Sequence, residues 1–273
     1  MSPQQKLDHL IQKNNSLVCV GLDTDVAQLP AQFQQSATPQ FDFNKAIIDA
    51  THDLVIAYKP NTAFYEARGE QGIRDLKMTC DYIRENYPEM FTILDAKRAD
   101  IGNTNKGYVE FAFEYLGADA ITLHPYLGAE ALKPFLDRGD KASIILCRTS
   151  NSGSGEFQEL VFNGEPLYAH IAQKVFKEWN VNNNCFLVVG ATYPEDIQKV
   201  RALCGDMTLL IPGIGSQGGD VKKVVHAGLN SHKAGIIINS SRAILFASHG
   251  PNFALRAREE AMKLRDEINT YRI

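Results

Sequence analysis

Cysteine is sparse in this 273-residue chain, which holds only Cys19, Cys80, Cys147, Cys185 and Cys204, with no CxxC pair and no Cys/His cluster. That excludes a disulfide framework and a zinc knuckle. Three of the five lie in apolar, strand-like runs, where buried, reduced thiols are expected. A basic excess is missing too: Lys plus Arg total 28 against 32 Asp plus Glu, a formal charge of −4. Bulk charge therefore offers no hold for a nucleic-acid backbone or an anionic membrane. No apolar run approaches the ~20 residues of a membrane span. The opening MSPQQKLDHLIQKNNS is polar where a secretory signal needs an apolar core. HExxH, GxSxG and Walker A patterns are absent as well. A cytoplasmic globular protein is the expectation, without nucleic-acid or membrane partners.

What is present is an alternation of two periods. Apolar, β-branched runs begin at Ser16, Leu54, Phe91, Asp119, Ala142, Cys185, Met207 and Ala234. Each reads as a strand buried on both faces. Amphipathic stretches separate them. Ile73, Leu76, Cys80, Ile83 and Tyr87 form one stripe, and Val109, Ala112, Phe113 and Leu116 a second. Tyr168, Ile171, Ala172, Val175 and Trp179 form a third, and Ala257, Ala261, Leu264 and Ile268 close the series. Pro194 fits a first helical turn, while Gly117 and Gly205 fit helix ends. Eight strand–helix alternations predict a single (β/α)₈ TIM barrel over residues 1–273, with a doubly wound open sheet as the alternative. Thr24 to Gln40 and Thr149 to Phe162 are the longest irregular stretches, and both follow strand C-termini, where a barrel keeps its active site.

The polar residues at those strand ends are the ones to read. Asp23 ends the first, Lys59 the second, and Asp95, Lys97 and Asp100 the third. Arg148, Thr149 and Ser150 end the fifth, and Ser241 and Arg242 the eighth. Asp95 and Lys97 are two apart, so regular alternation points both into the mouth. With Lys59 beside them the order is Lys–Asp–Lys–Asp. A lysine between two carboxylates has its neutral form disfavoured, which suits electrostatic stabilisation of a carbanion and proton donation rather than Schiff-base chemistry. The competing explanation is an ion-pair network that only braces the barrel.

PGIGSQGG, from Pro212 to Gly219, matches the dinucleotide fingerprint but falls after the seventh strand, and no acid follows at the ribose position. It reads better as a barrel phosphate site, with glycine amides, a helix starting near Asp220 and the Arg242 guanidinium. A tight turn with a structural arginine is the alternative. His124 lacks ligand partners at metal spacing, and Cys147 reads as packing rather than nucleophile.

Together these residues resemble the orotidine 5′-monophosphate decarboxylase family. Its D-x-K-x-x-D motif stands here as Asp95-Ala-Lys97-Arg-Ala-Asp100, and GLD, AYKPNTAFYE, CRTSN, PGIGSQGGD and the final Ser-Arg follow in family order over nearly the whole chain. Length and the AYKPNTAFYE and CRTSN segments resemble the longer bacterial-type subgroup. Ser152 departs from that subgroup, where proline is expected; the change removes no chemical group.

The resemblance implies a cofactor-independent, metal-free lyase converting orotidine 5′-monophosphate to uridine 5′-monophosphate, the last step of de novo pyrimidine synthesis. It implies Lys97 as proton donor to pyrimidine C6, with Lys59, Asp95 and Asp100 completing the charged tetrad. Asp23 and Lys59 would bind ribose hydroxyls, Ser150 the pyrimidine edge, and Gln217 and Arg242 the 5′-phosphate, with Ser241 beside them. It also implies a homodimer in which Asp100 and Thr104 serve the partner's site. Two alternatives stay open: a Mg²⁺-dependent 3-keto-6-phosphogulonate decarboxylase, which carries a glutamate where this chain has Lys59, and a non-catalytic nucleotide-phosphate binder.

Overall fold

The computed structural model describes residues 1–214 and 219–272. Its centre is a closed barrel of β1 (Val18–Leu22), β2 (Ala57–Pro60), β3 (Phe91–Arg98), β4 (Ala120–Leu123), β5 (Ala142–Arg148), β6 (Cys185–Val189), β7 (Leu209–Pro212) and β8 (Ile236–Ser240). Every neighbouring pair is parallel, in chain order, and β8 closes on β1 through Val18↔Ile238 and Val20↔Ser240. The TIM barrel predicted from the alternation is thus the observed architecture. Its strands are buried along nearly their whole length, which is why they lack the polar alternation of a one-sided sheet.

One helix precedes the barrel. α1 (Pro3–Asn14) starts from a reciprocal Ser2/Gln5 cap and buries Leu7, Leu10 and Ile11. Lys6 pairs with Asp119 at 2.9 Å, just before β4, and Gln4 accepts from Thr208 at 2.7 Å, just before β7. This helix therefore lies against the N-terminal ends of the strands and leaves the opposite end open for chemistry.

The outer helices are α2 (Pro39–Thr51), α3 (Gly69–Asn86), α4 (Gly102–Val109), α5 (Gly128–Leu136), α6 (Leu167–Lys174), α7 (Pro194–Cys204), α8 (Val221–Gly228) and α9 (Phe253–Tyr271). Single π-helical turns carry α4 on to Tyr115 and α6 on to Trp179. The predicted stripes face inward: Leu76, Cys80 and Ile83 on α3, and Ala257, Ala261, Leu264 and Ile268 on α9, are buried. Each fully buried leucine or isoleucine contributes about 1.5–3 kcal/mol. Pro194 opens α7, and Gly205 follows it with φ +56°, a backbone that residues with a Cβ rarely adopt. All five cysteines are buried thiols.

The two long loops depart from the irregular structure expected. The first holds a 3₁₀ turn at Val26–Gln28 and a short helix at Ala31–Gln34, and Pro39 already starts α2. The second holds turns at Ser152–Ser154 and Gly155–Gln158, then a hairpin of Val161–Phe162 with Glu165–Pro166. Polar residues hid this local order, because no apolar period marks single turns.

Candidate active site

At the C-terminal end of the barrel, three strands bring four charged side chains into line. Lys59, 3% exposed on β2, donates to Asp95 Oδ2 at 2.7 Å and stands 3.8 Å from Asp23 Oδ1 beyond β1. Asp95 Oδ1 accepts from Lys97 Nζ at 2.6 Å. The line runs from dry to wet: the Asp95 side chain is 10% exposed, whereas the Lys97 side chain is 49% exposed. Burial pushes the Asp95 carboxyl up, but the Lys59 and Lys97 charges outweigh it and hold the group well below the usual carboxylate range. Burial likewise lowers Lys59, while Asp95 and Asp23 more than reverse it, leaving the ammonium above the ordinary lysine value.

The backbone beneath this line is irregular. β3 pairs with β4 as Leu94↔Ile121 and next as Arg98↔Leu123, a register shift at the motif itself. Lys97 sits at φ +47°, the left-handed region, at a cost on the order of 1 kcal/mol for a residue with a side chain. Regular alternation is the expected reason for Asp95 and Lys97 to share a side. They do share it, but through a bulge and a left-handed lysine.

Asp23 is clamped from behind by buried polar groups. Tyr65 donates to the Leu22 carbonyl at 3.0 Å, Gln40 to the Thr24 carbonyl at 2.8 Å, and Thr24 to Asn44 at 2.5 Å. Its own Oδ1 is buried without a hydrogen-bond partner among the described residues. Such an atom calls for a missing donor, as a ligand would supply. Gly21 is required nearby, since a Cβ there would stand 1.9 Å from Ser241 Oγ. Gly213, at φ +105°, turns the chain after β7, and a bridge between Ile214 and Gly219 closes the base of that loop.

Sequence comparison places these features in a known context. The profile of the "Orotidine 5'-phosphate decarboxylase / HUMPS family" matches residues 16–257. The chain belongs to this family. It is 49% identical over 274 residues to an orotidine 5'-phosphate decarboxylase of Cellvibrio japonicus, covering all of both chains. A second relative so named, from Janthinobacterium, is 48% identical across 98% of each. The solved structure of Leishmania donovani OMP decarboxylase superposes with a TM-score of 0.87 at 37% identity, covering 100% of this chain and 99% of that one.

Within that family frame, the residues singled out in the sequence fall into four groups. Asp23, Lys59, Asp95 and Lys97 come together as described. Ser150 follows β5, and Ser241 and Arg242 follow β8, Arg242 opening the short helix Arg242–Leu245 at the same end of the barrel. Asp100 and Thr104 do not join the line within one chain. Asp100 lies in the turn after β3, where its Oδ1 accepts the Ile101 amide at 2.6 Å, and Thr104 is exposed on α4. Lys97 thus touches one carboxylate of its own chain rather than the two expected. Gln217, with Gly215 and Gly218, lies outside the described residues.

One expectation needs correction. Arg148, expected at the mouth, is buried and turned outward, donating to Asp196 on α7 at 2.8 Å and pairing with Glu159. The helix expected near Asp220 is present as α8, with Asp220 as its N-cap accepting the Lys223 amide at 3.0 Å. Sequence reading also missed two buried side chains. Asn105 accepts the Asp100 amide at 2.9 Å and donates to the Asp100 and Ala131 carbonyls, fixing the turn. Thr122 binds both Asp95 and Lys97. A lone hydroxyl in the apolar run AITLHP was the available signal.

Proposed function

We propose that this chain is a carboxy-lyase that removes CO₂ from orotidine 5′-monophosphate and releases uridine 5′-monophosphate, the closing step of de novo pyrimidine synthesis. The observation that carries this reading is the Lys59–Asp95–Lys97 line, whose last ammonium stands half in water at the barrel mouth. Cleavage of the bond between C6 and its carboxylate leaves the electron pair on C6, where no adjacent carbonyl can take it up. A fixed cation there stabilises the developing charge, and Lys97 then delivers the proton that makes the C6–H bond. Lys97 regains its proton from solvent. Asp95, kept ionised by two lysines, holds the Lys97 ammonium in place and opposes its drift into water.

Asp23 and Lys59 take the ribose hydroxyls, which gives Asp23 Oδ1 the hydrogen-bond donor it lacks among the described residues. Ser150 meets the pyrimidine edge; Gln217, Ser241 and Arg242 hold the 5′-phosphate. The second carboxylate at Lys97 comes from another copy: the protein works as a homodimer, with Asp100 and Thr104 serving the partner's site. Residues 1–273 act as one barrel domain, in the cytoplasm, and the reaction takes neither metal nor organic cofactor. Among the described residues no helix is long and apolar enough to cross a membrane.

The test is the absorbance of orotidylate on addition of purified protein in excess chelator. Its loss, with uridylate as product, is the expected result. Turnover that appears only on adding Mg²⁺ would overturn the metal-free reading.

A further inference from the structure

We infer that Thr122 is a positioning residue whose single hydroxyl holds Lys97 and Asp95 in their working arrangement. The inference rests on the decarboxylase reading and adds a residue that acts through two others. It begins with the register of β3 against β4. Leu94 faces Ile121 and Arg98 faces Leu123, so three residues of β3 (Asp95, Ala96 and Lys97) stand opposite one of β4, Thr122.

At such a mismatch the backbone ladder cannot serve every amide. The Lys97 N–H is taken instead by Thr122 Oγ1 at 2.9 Å. The same oxygen donates its one proton to Asp95 Oδ1 at 2.9 Å, leaving lone pairs for the amide, so the two bonds coexist. Thr122 is 1% exposed, which leaves little access for water to replace either bond. One side chain thus ties the left-handed backbone of Lys97 to the carboxylate that its ammonium contacts at 2.6 Å.

Removing the hydroxyl frees both tethers at once. The Lys97 amide is left unpaired in a bulge, its strained conformation loses support, and Asp95 keeps only its lysines. The ammonium then rests away from the carbon it must protonate, and a displacement near 1 Å costs roughly 100-fold in rate. Phosphate and ribose contacts made from other strands are untouched, so substrate affinity should hold.

The experiment compares Thr122→Val, which keeps the shape and loses the hydroxyl, with Thr122→Ser, which keeps it. For the valine variant kcat is expected to fall by about 10- to 100-fold with KM within about threefold of wild type. Uptake of solvent deuterium at C6 of uridylate should fall in parallel. The serine variant should return kcat to within about threefold of wild type. A valine variant with unchanged kcat, a serine variant as impaired as valine, or a KM that rises in step with the loss would each overturn the proposal. If the valine variant does not fold, Thr122→Ala takes its place, and the same outcomes support or overturn the role of the hydroxyl. Wild-type protein that leaves orotidylate unchanged would instead sink the parent reading, and is measured first.

Discussion

Two buried ion networks stand at strand ends of this barrel, and they are built to opposite standards. Around Arg148, at the end of β5, every guanidinium nitrogen has a partner: Nε reaches Asp196 at 2.8 Å, Nη1 reaches Ser154 at 2.9 Å, and Nη2 pairs with Glu159. Tyr193 and Tyr168 lie 4.6 Å and 5.7 Å from the guanidinium carbon. β5 also shifts register against β6 here, between Leu146 and Arg148, but no left-handed residue stands at the shift. Around Lys97, by contrast, the backbone is left-handed, the ammonium is half open, and Asp23 keeps a buried oxygen that lacks a hydrogen bond among the described residues. Buried charge alone does not mark a site. What marks it is charge left unfinished, with strain kept in the backbone that presents it.

The sharpest way to break the contrast is to remove one cation from each network. Lys97→Ala should lose at least about 10⁴-fold in kcat, while thermal unfolding and uridylate binding stay near wild type. Turnover within tenfold of wild type would move Lys97 into the bracing class. Assembly gives the next largest effect. Subunits of Lys97→Ala and Asp100→Ala homodimers, allowed to exchange, should recover activity in roughly a quarter of all sites, because half the dimers are mixed and each mixed dimer holds one intact site. No recovery, with exchange confirmed by a mass label, would put Asp100 in its own subunit's site.

Arg148→Met should show the reverse pattern to Lys97→Ala. Asp196 is left without its main partner, and stability should drop by about 3 kcal/mol, tempered because Glu159 is open to water. The expected readout is a midpoint roughly 5–12 °C lower, with kcat kept within about tenfold. The smallest effect is in pH. Asp95 is held below the ordinary carboxylate range, so its ionised form stabilises the fold above about pH 4, and that contribution is lost as the pH falls further. Lys59, held above the lysine range, contributes below about pH 10 and loses that as pH rises through its folded value. The stability gap between wild type and Asp95→Asn should therefore narrow from about pH 5 toward pH 2. A constant gap would mean the lysines do not hold the carboxylate.

The strands were readable because burial on both faces leaves an uninterrupted apolar run, and the helices because one face must meet them. Asp23, Lys59, Asp95 and Lys97 were readable because charge at strand ends is costly unless it is paired. Local geometry was not. A register shift depends on two strands at once, so nothing in DAKRAD announces that Lys97 reaches Asp95 through a bulge. Arg148 looks like its neighbours in CRTS, yet its direction is set by Asp196, 48 residues later in the chain. Thr122, Asn105 and Asn44 carry no charge, and a reading that scans for charge passes over them.

Gly21 and Ser241 meet where the first strand closes on the last, so the mouth is finished only when the far end of the chain arrives. On the ribosome, Asp23 and Lys97 are made long before Arg242, by an interval on the order of ten seconds or more at ordinary elongation rates. Throughout that interval the charged line has no closed wall around it, and Arg242, the proposed phosphate ligand, is still missing. The barrel closes only when β8 docks between β1 and β7, and a chain arrested before that strand would hold the charged line without the wall that encloses it.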